Sequence, residues 1–226
     1  SEKLAGMGQL SAGIAHELNN PLGVITMYSN IIREELPADS PVVQDINLIV
    51  EQADRCRKIV GGLLNFARKN QVNLTESDVV KLARHSIGSV IIPDSIKLRL
   101  NNKVSDPLVN LDYDQMTQVF ANLLKNAVDA MPGQGEIDFD LVDNHDQLIV
   151  SITDNGTGIP PENMDKLFTP FFTTKGPGKG TGLGLPIIYG IVKMHKGDIS
   201  VKSNIDPAKG PTGTTFTITI PRNRLV

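Results

Sequence analysis

Over residues 1 to about 70, apolar positions recur at alternating three- and four-residue intervals, the spacing of one helix face. Leu4, Met7, Ser11, Ile14, Leu18, Pro21, Ile25, Tyr28 and Ile32 make one stripe, and Ala15, Leu22, Ser29 and Leu36 widen it. The stretch "LPADSP" interrupts the pattern with two prolines, and Ser40-Pro41 reads as a cap followed by a first-turn proline. A second helix then carries Val42, Ile46, Ile49, Ala53, Cys56, Val60, Leu63 and Ala67 along one seam, which assigns Cys56 to packing. Two such helices joined by a short loop form an antiparallel hairpin that cannot bury both stripes by itself. A four-helix bundle made by two chains solves this, so a homodimer is expected.

After "RKNQVN" the pattern changes to mixed strand and helix. "DVVKLARHSIGSVI" reads as a helix, "IKLRLNNKV" and "LVNLD" as strands, and "DQMTQVFANLLKNAVDAM" as a long helix with Asp114 near its start. Strands "EIDFDLV" and "QLIVSIT" follow around an "NHD" turn. A loop from about 154 to 180, rich in Gly, Pro and Thr, leads to helix "GLGLPIIYGIVKMH" and strands "DISVKS" and "TTFTITI". Helices on one side of a mixed sheet make an α/β sandwich. The predicted organisation is thus α+β, with a helical hairpin over 1–70 and an α/β domain over 71–226.

Composition narrows this picture. Trp is absent and aromatics make up 4% of residues, so the core must be mostly aliphatic. The net charge of -3 gives no basic face for nucleic acid. Cys56 is the single cysteine, which excludes an internal disulfide or a C-x-x-C site and fits a reducing, cytoplasmic setting. Apolar runs fall short of the roughly 18 residues of a membrane span, and no signal peptide is read. The sequence opens at Ser1 inside what already reads as a helix, so a piece of a longer chain is expected.

Candidate chemistry concentrates in three places. Asn122, Asn126 and Asp129 fall on one face of the long helix, and their carbonyl and carboxylate oxygens suit Mg²⁺, which takes few protein ligands. The ordinary alternative is the wet side of an amphipathic helix. In "ITDNGTGIPPENM", Asn155-Gly156 also fits a hairpin turn, yet no paired strand follows directly. Asp154 at a strand end can accept a hydrogen bond from the exocyclic amine of adenine, while Gly156 and Gly158 remove bulk so that a flat ring can approach. In "GPGKGTGLGLPII", Gly178, Gly180, Gly182 and Gly184 sit at a loop-to-helix junction whose backbone N–H groups suit an anion. The segment is neither a Rossmann turn nor a Walker loop. Phe168, Phe171 and Phe172 read as a hydrophobic plug anchoring a mobile lid, whose Thr173, Thr174 and Lys175 could meet phosphates. A plain solvated Lys175 is the alternative.

"HELNNP", residues 16 to 21, resembles an H-E-x-x-H zinc site, but Asn20 stands where the second histidine would be. At ~100° per residue His16 lies about 150° from the centre of the apolar stripe, so it is not a core histidine. Asn20, one turn later, shares its outer face. Pro21 lacks an N–H and crowds the carbonyl of Glu17, which predicts a kink or loosened turn.

These segments, in this order, resemble sensor histidine kinases: "HELNNP" is similar to the phosphoacceptor box of the HisKA-type domain. The remainder is similar to the GHKL ATP-binding domain, with "GTTFTI" as its last pocket segment. The spellings "HELNNPL" and "PFFTTK" resemble the nitrogen-regulation branch. The resemblance implies His16 as phosphoacceptor, Glu17 as its acid-base partner, and Asn20 as an aid to dephosphorylating the partner. It implies ATP and Mg²⁺, with Asn126 as metal ligand helped by Asn122, and Asp129 on the same stripe. Asp154 would select adenine beside Gly156, Gly158 and Thr214; Gly180, Thr181, Gly182, Leu183 and Gly184 would line the phosphates; Lys175 would belong to the lid. The implied partner is a response-regulator receiver domain, whose Asp takes the phosphoryl group.

Two rivals are weaker. ATP-hydrolysing GHKL machines place a Glu four residues before the Mg²⁺ asparagine, where this chain has Asn122. A non-catalytic dimerisation scaffold would need decayed ATP motifs. His85, His145 and His195 read as a helix surface, a turn and a helix end.

Overall fold

The computed structural model describes residues 2–37, 39–68, 72–144, 146–176 and 180–222, and of these the side chains of all but 2–17, 58–59 and 62–68. The chain divides into two compact units, residues 1–70 with 173–183 and residues 71–172 with 184–226.

In the first unit, α1 (Glu2–Glu35) and α2 (Val42–Arg68) form the hairpin. Arg33 donates to Asn47 Oδ1 (3.3 Å) and Arg57 to Thr26 Oγ1 (3.2 Å), which fixes the antiparallel register. α1 stays helical on both sides of Pro21. Among the described side chains, the seam between the two helices is not the predicted main stripe of α1. Among the same described side chains, Ile46, Ala53 and Val60 of α2 are buried, and from α1 the buried residue is Ser29, on the flanking row. Leu18, Ile25, Tyr28 and Ile32 stay 44–57% exposed in the single chain, as does Ile49 at 47%. Cys56 is exposed as well in the single chain, beside that uncovered stripe.

The second unit begins with β1 (Thr75–Asp78), α3 (Val79–Gly88), β2 (Ile96–Lys103), β3 (Leu108–Leu111) and α4 (Tyr113–Asp129). It continues with β4 (Gly135–Asp143), β5 (Gln147–Asp154), α5 (Pro161–Met164), α6 (Gly184–Met194), β6 (Asp198–Asn204) and β7 (Gly213–Pro221). Five strands make a sheet in the order β2-β4-β5-β7-β6, parallel between β2 and β4 and antiparallel elsewhere. The period of two decides its faces. Ile137, Phe139, Leu141, Leu148, Val150, Ile152, Phe216, Ile218 and Ile220 point to one side and are buried under α3, α4 and α6, which contribute Leu82, Phe120, Leu124 and Ile188. Phe120 meets Phe139 edge-on, ring centroids 5.3 Å apart. The other side is polar: Arg99 binds Glu136 (2.8 Å) and Asp138 (2.7 Å), and the cross-strand pairs Ser151–Thr217 and Thr153–Thr215 join hydroxyls. One covered face and one wet face make the predicted sandwich with a mixed sheet.

Three local features differ from the sequence reading. β1, "TESD", has no apolar alternation to announce it; it pairs antiparallel with β3, and its last residue, Asp78, caps α3 by accepting from the N–H of Val80 (2.9 Å) and Lys81 (3.0 Å). The cap of α4, which the sequence reading did not name, is Asp112, which accepts from Gln115 N–H (3.0 Å); Asp114 sits in the first turn, near the helix start as expected. Phe171 is 55% exposed at φ 67°, so it does not fill a plug, whereas Phe168 packs on Tyr189 of α6 at 5.3 Å between centroids.

Candidate active site

Alternation along β5 turns its last residue, Asp154, to the covered face, where it is buried at 5% exposure. Its Oδ1 accepts the N–H of Gly156 (2.9 Å) and of Thr214 (3.3 Å). Burial pushes this carboxyl above its ordinary pKa, and the two N–H bonds oppose the rise. Among the described residues no cation pairs with it. A buried, unpaired carboxylate opposes folding and is retained where a ligand needs it.

The loop after Asp154 is held from three sides. Asn155 Oδ1 accepts Glu136 N–H (2.8 Å), Thr157 N–H reaches Ala130 O (3.1 Å), and Ile159 N–H reaches Ser203 Oγ (2.8 Å). The glycines serve that threading. A Cβ on Gly156 would lie 2.5 Å from Ala130 O, at the end of α4, and one on Gly158 (φ +72°) would lie 2.3 Å from Asn204 O. Both clear protein backbone, which is a different reason from the predicted approach of a flat ring. Gly213 at φ +132° is likewise forced, since its Cβ would fall 2.0 Å from Asp154 O. Thr214, which follows it, is buried and stands directly opposite Asp154 in the β5–β7 register.

The contact at Ala130 brings the Asp154 loop against the end of the helix that carries Asn122, Asn126 and Asp129. The two asparagines are half-buried and Asp129 is exposed. Among the described residues no cluster of three His, Cys, Asp or Glu side chains could hold a metal. Such a donor set, amide oxygens with one carboxylate, does not cage a tightly coordinated ion but fits Mg²⁺ held largely by phosphate oxygens and water. A depression of about 290 Å³ at this sheet end is lined by Asp154 and Thr214 together with Glu136, Asp138, Thr153 and Thr215, among others.

His195 follows the last residue of α6, the helix end the sequence indicated, but its burial and bonds were not foreseen. It is 3% exposed, donates through Nδ1 to Ile191 O (2.8 Å) and accepts Asp112 N–H at Nε2 (3.0 Å), which fixes its tautomer. Asp112 also accepts Asn73 N–H (3.1 Å), so one residue ties the chain entering this unit, the start of α4 and the end of α6. Burial lowers the His195 pKa. Lys196 takes the left-handed position (φ 57°), because a Cβ on Gly197 would lie 2.4 Å from Thr219 O. His85 is on a helix surface as expected, hydrogen-bonded to Tyr113 Oη (2.9 Å), and His145 lies outside the described residues.

The other candidate residues group with the first unit. Lys175 is half-buried, with its N–H on Thr173 Oγ1 (3.1 Å); a Cβ on Gly180 would come within 2.7 Å of that same hydroxyl oxygen. Leu183 N–H points to Thr181 Oγ1 (3.4 Å), and Gly182 has φ +66°. Gly184, in the second unit, begins α6. Gly178 lies outside the described residues. On α1, Asn20 is exposed, and the side chains of His16 and Glu17 lie outside the described residues.

A one-sided mixed sheet whose covered face ends in a buried carboxylate, beside a helix bearing an amide stripe, defines an α/β nucleotide-binding sandwich. The profile of the histidine kinase-, DNA gyrase B-, and HSP90-like ATPase family matches residues 111–224, and that of the His Kinase A (phospho-acceptor) domain matches residues 7–72. The chain belongs to this ATPase family, in the sensor histidine kinase arrangement that joins it to a phosphoacceptor domain. It is 35% identical over 226 residues to the sensor histidine kinase ZraS of Escherichia coli, a match covering 98% of this chain and 47% of that protein. The chain thus spans about half the length of the curated relatives it matches. Full-length ShkA, solved in complex with AMPPNP, shares the fold at TM-score 0.72 and 22% identity, over 94% of this chain and 45% of that one. Histidine kinase ThkA, solved in complex with response regulator protein TrrA, matches at TM-score 0.66 and 26% identity, over 98% of this chain and 64% of that one.

Proposed function

We propose that the chain is the catalytic core of a protein-histidine kinase that phosphorylates itself on His16 from ATP and passes the phosphoryl group to an Asp of a response-regulator receiver domain. The observation that carries the ATP half is Asp154: a buried carboxylate with no cation beside it among the described residues, joined through its loop to the asparagine helix. Residues 1–70 serve as the dimerisation and phosphotransfer domain and 71–226 as the ATP-binding domain, in a cytoplasmic setting. No helix among the described residues is long and apolar enough to cross a membrane.

In this reading Asp154 accepts from the exocyclic amine of adenine, with Gly156, Gly158 and Thr214 around it. Lys175, Gly180, Thr181, Gly182, Leu183 and Gly184 attend the phosphates. A neutral His16 ring nitrogen attacks the γ-phosphorus, the N–P bond forms, and the bond to the β,γ-bridging oxygen breaks as ADP leaves. Glu17 accepts the other ring N–H, which keeps the attacking nitrogen unprotonated. Mg²⁺, held by Asn126 and Asn122, neutralises phosphate charge when bound. Asn20, exposed on α1 one turn beyond His16, positions a water for dephosphorylating the regulator. The uncovered stripe Leu18, Ile25, Tyr28 and Ile32, with Ile49 and Cys56 of α2, is the surface a second copy covers.

The test is phosphoryl labelling. With Mg-ATP the protein forms an acid-labile, alkali-stable adduct that His16→Gln abolishes; a label persisting in that variant sinks the mechanism. Mixing His16→Gln and Asn126→Ala chains restores labelling only if transfer runs between subunits.

A further inference from the structure

Three residues stand in a row across the sheet: Asp154 pairs with Thr214, and Thr214 with Ser203 on its other side. Ser203 is half-buried, and its hydroxyl meets three partners. Ile159 N–H donates to it (2.8 Å), Gly213 O lies 2.8 Å away, and Thr214 Oγ1 lies 2.9 Å away. A serine hydroxyl has one proton and two lone pairs. A carbonyl oxygen can only accept, so the Ser203 proton goes to Gly213 O. An amide N–H can only donate, so Ile159 takes one lone pair. What remains for Thr214 is a lone pair, and Thr214 must therefore donate its own hydroxyl proton to Ser203. That proton is the only one on the threonine hydroxyl, and its backbone N–H is already given to Asp154, so Oγ1 turns lone pairs alone toward anything else.

We infer that Ser203, a residue to which no role is otherwise assigned, is a specificity-determining residue that makes Thr214 an obligate hydrogen-bond acceptor beside the Asp154 carboxylate. The base site then presents acceptors on two adjacent strands, favouring a ring edge that donates, such as an exocyclic amine. A ring that carries a carbonyl there meets lone pairs with lone pairs. Ser203 acts through Thr214 and touches no reacting atom. The inference rests on the adenine-nucleotide reading above and deepens it by naming what enforces the choice of base.

The experiment compares ATP with ITP, which replaces the exocyclic amine by a carbonyl, in binding to the full chain. Wild-type protein prefers ATP. In Ser203→Ala the Thr214 proton is released and can serve a carbonyl, so the ATP-to-ITP preference falls about tenfold, the scale of one rewired polar contact. Thr214→Val removes the hydroxyl and lowers the preference itself. In the Thr214→Val background Ser203→Ala changes the ratio no further. Ser203→Thr, which keeps a hydroxyl, retains the wild-type ratio. Should Ser203→Ala not fold, Ser203→Cys, a weak donor of similar shape, carries the same cycle. An equal loss of both affinities in Ser203→Ala would assign the serine to scaffolding and overturn the inference, as would a ratio shift that survives in the Thr214→Val background. A wild-type protein that binds ATP and ITP alike would overturn the adenine reading first and this inference with it.

Discussion

The helical hairpin and the α/β unit solve burial in opposite ways. In the α/β unit the apolar residues have partners within the chain: Leu82, Leu111, Met116, Phe120, Phe139 and Ile188 are all fully buried. In the hairpin, long apolar side chains such as Val24, Ile25, Met27 and Tyr28 remain 44–57% exposed, although the helices are longer. One unit is a closed core that gains nothing from concentration. The other leaves much of its described apolar surface open, the face that the proposed second copy covers. A sandwich that folds on its own can hold a nucleotide, while a hairpin completed by association can serve as a joint between subunits.

The sharpest break comes from the core. Phe120→Ala removes a fully buried ring and costs about 3–5 kcal/mol. Denaturant unfolding followed by near-ultraviolet signal should show the α/β transition collapsing while hairpin helicity persists. A single cooperative loss of both would refute the separation. Next in size, Ile25→Asp on the exposed hairpin face should leave α/β unfolding unchanged and shift the population from dimer to monomer in sedimentation equilibrium. Wild-type behaviour in that run would mean the face is not the one covered.

Asp154→Asn separates function from stability within the α/β unit. A carboxyl with a raised folded pKa opposes folding once pH passes its unfolded value, and the full penalty is present above the folded one. The asparagine variant should lose ATP binding yet melt higher than wild type at pH 8 without nucleotide. The advantage should vanish below the ordinary carboxylate value of 3.8. A lower melting temperature at pH 8 would contradict the assigned cause. The smallest effect belongs to His195. Its lowered pKa means that the unfolded chain takes up a proton first as pH falls below 6.5, so stability declines there and is complete above it. The groups facing the ring are Ile191 O and Asp112 N–H, with the Asp112 carboxylate the nearby charge. His195→Asn should flatten the pH dependence of unfolding between 5 and 7, and an unchanged slope would relocate it to other groups.

Periodicity alone delivered both long helices, the strands with alternating apolar residues and the one-sided sandwich. It also placed Asp154 at a strand end and Asn122, Asn126 and Asp129 on one helix face, because spacing along an element determines direction. Elements defined by their partners stayed hidden. β1 is a strand because β3 pairs with its backbone, and nothing in "TESD" says so. In α1 the intervals showed an apolar stripe but not which neighbour it meets, and among the described side chains the one buried is Ser29 of the flanking row. The cap of α4, Asp112, was not picked out by spacing; it is seen only where β3 ends and the helix begins. Glycines 156 and 158 signalled a close approach, yet what they approach is backbone from other parts of the chain, as it is for Gly213, which gave no such signal. His195 and Ser203 acquired meaning only when Asp112, Ile159 and Gly213 arrived beside them. Sequence fixes the chemistry each side chain can offer and the face it occupies. Which donor finds which acceptor is decided by tertiary structure, since hydrogen bonds are short and their partners here lie tens of residues apart.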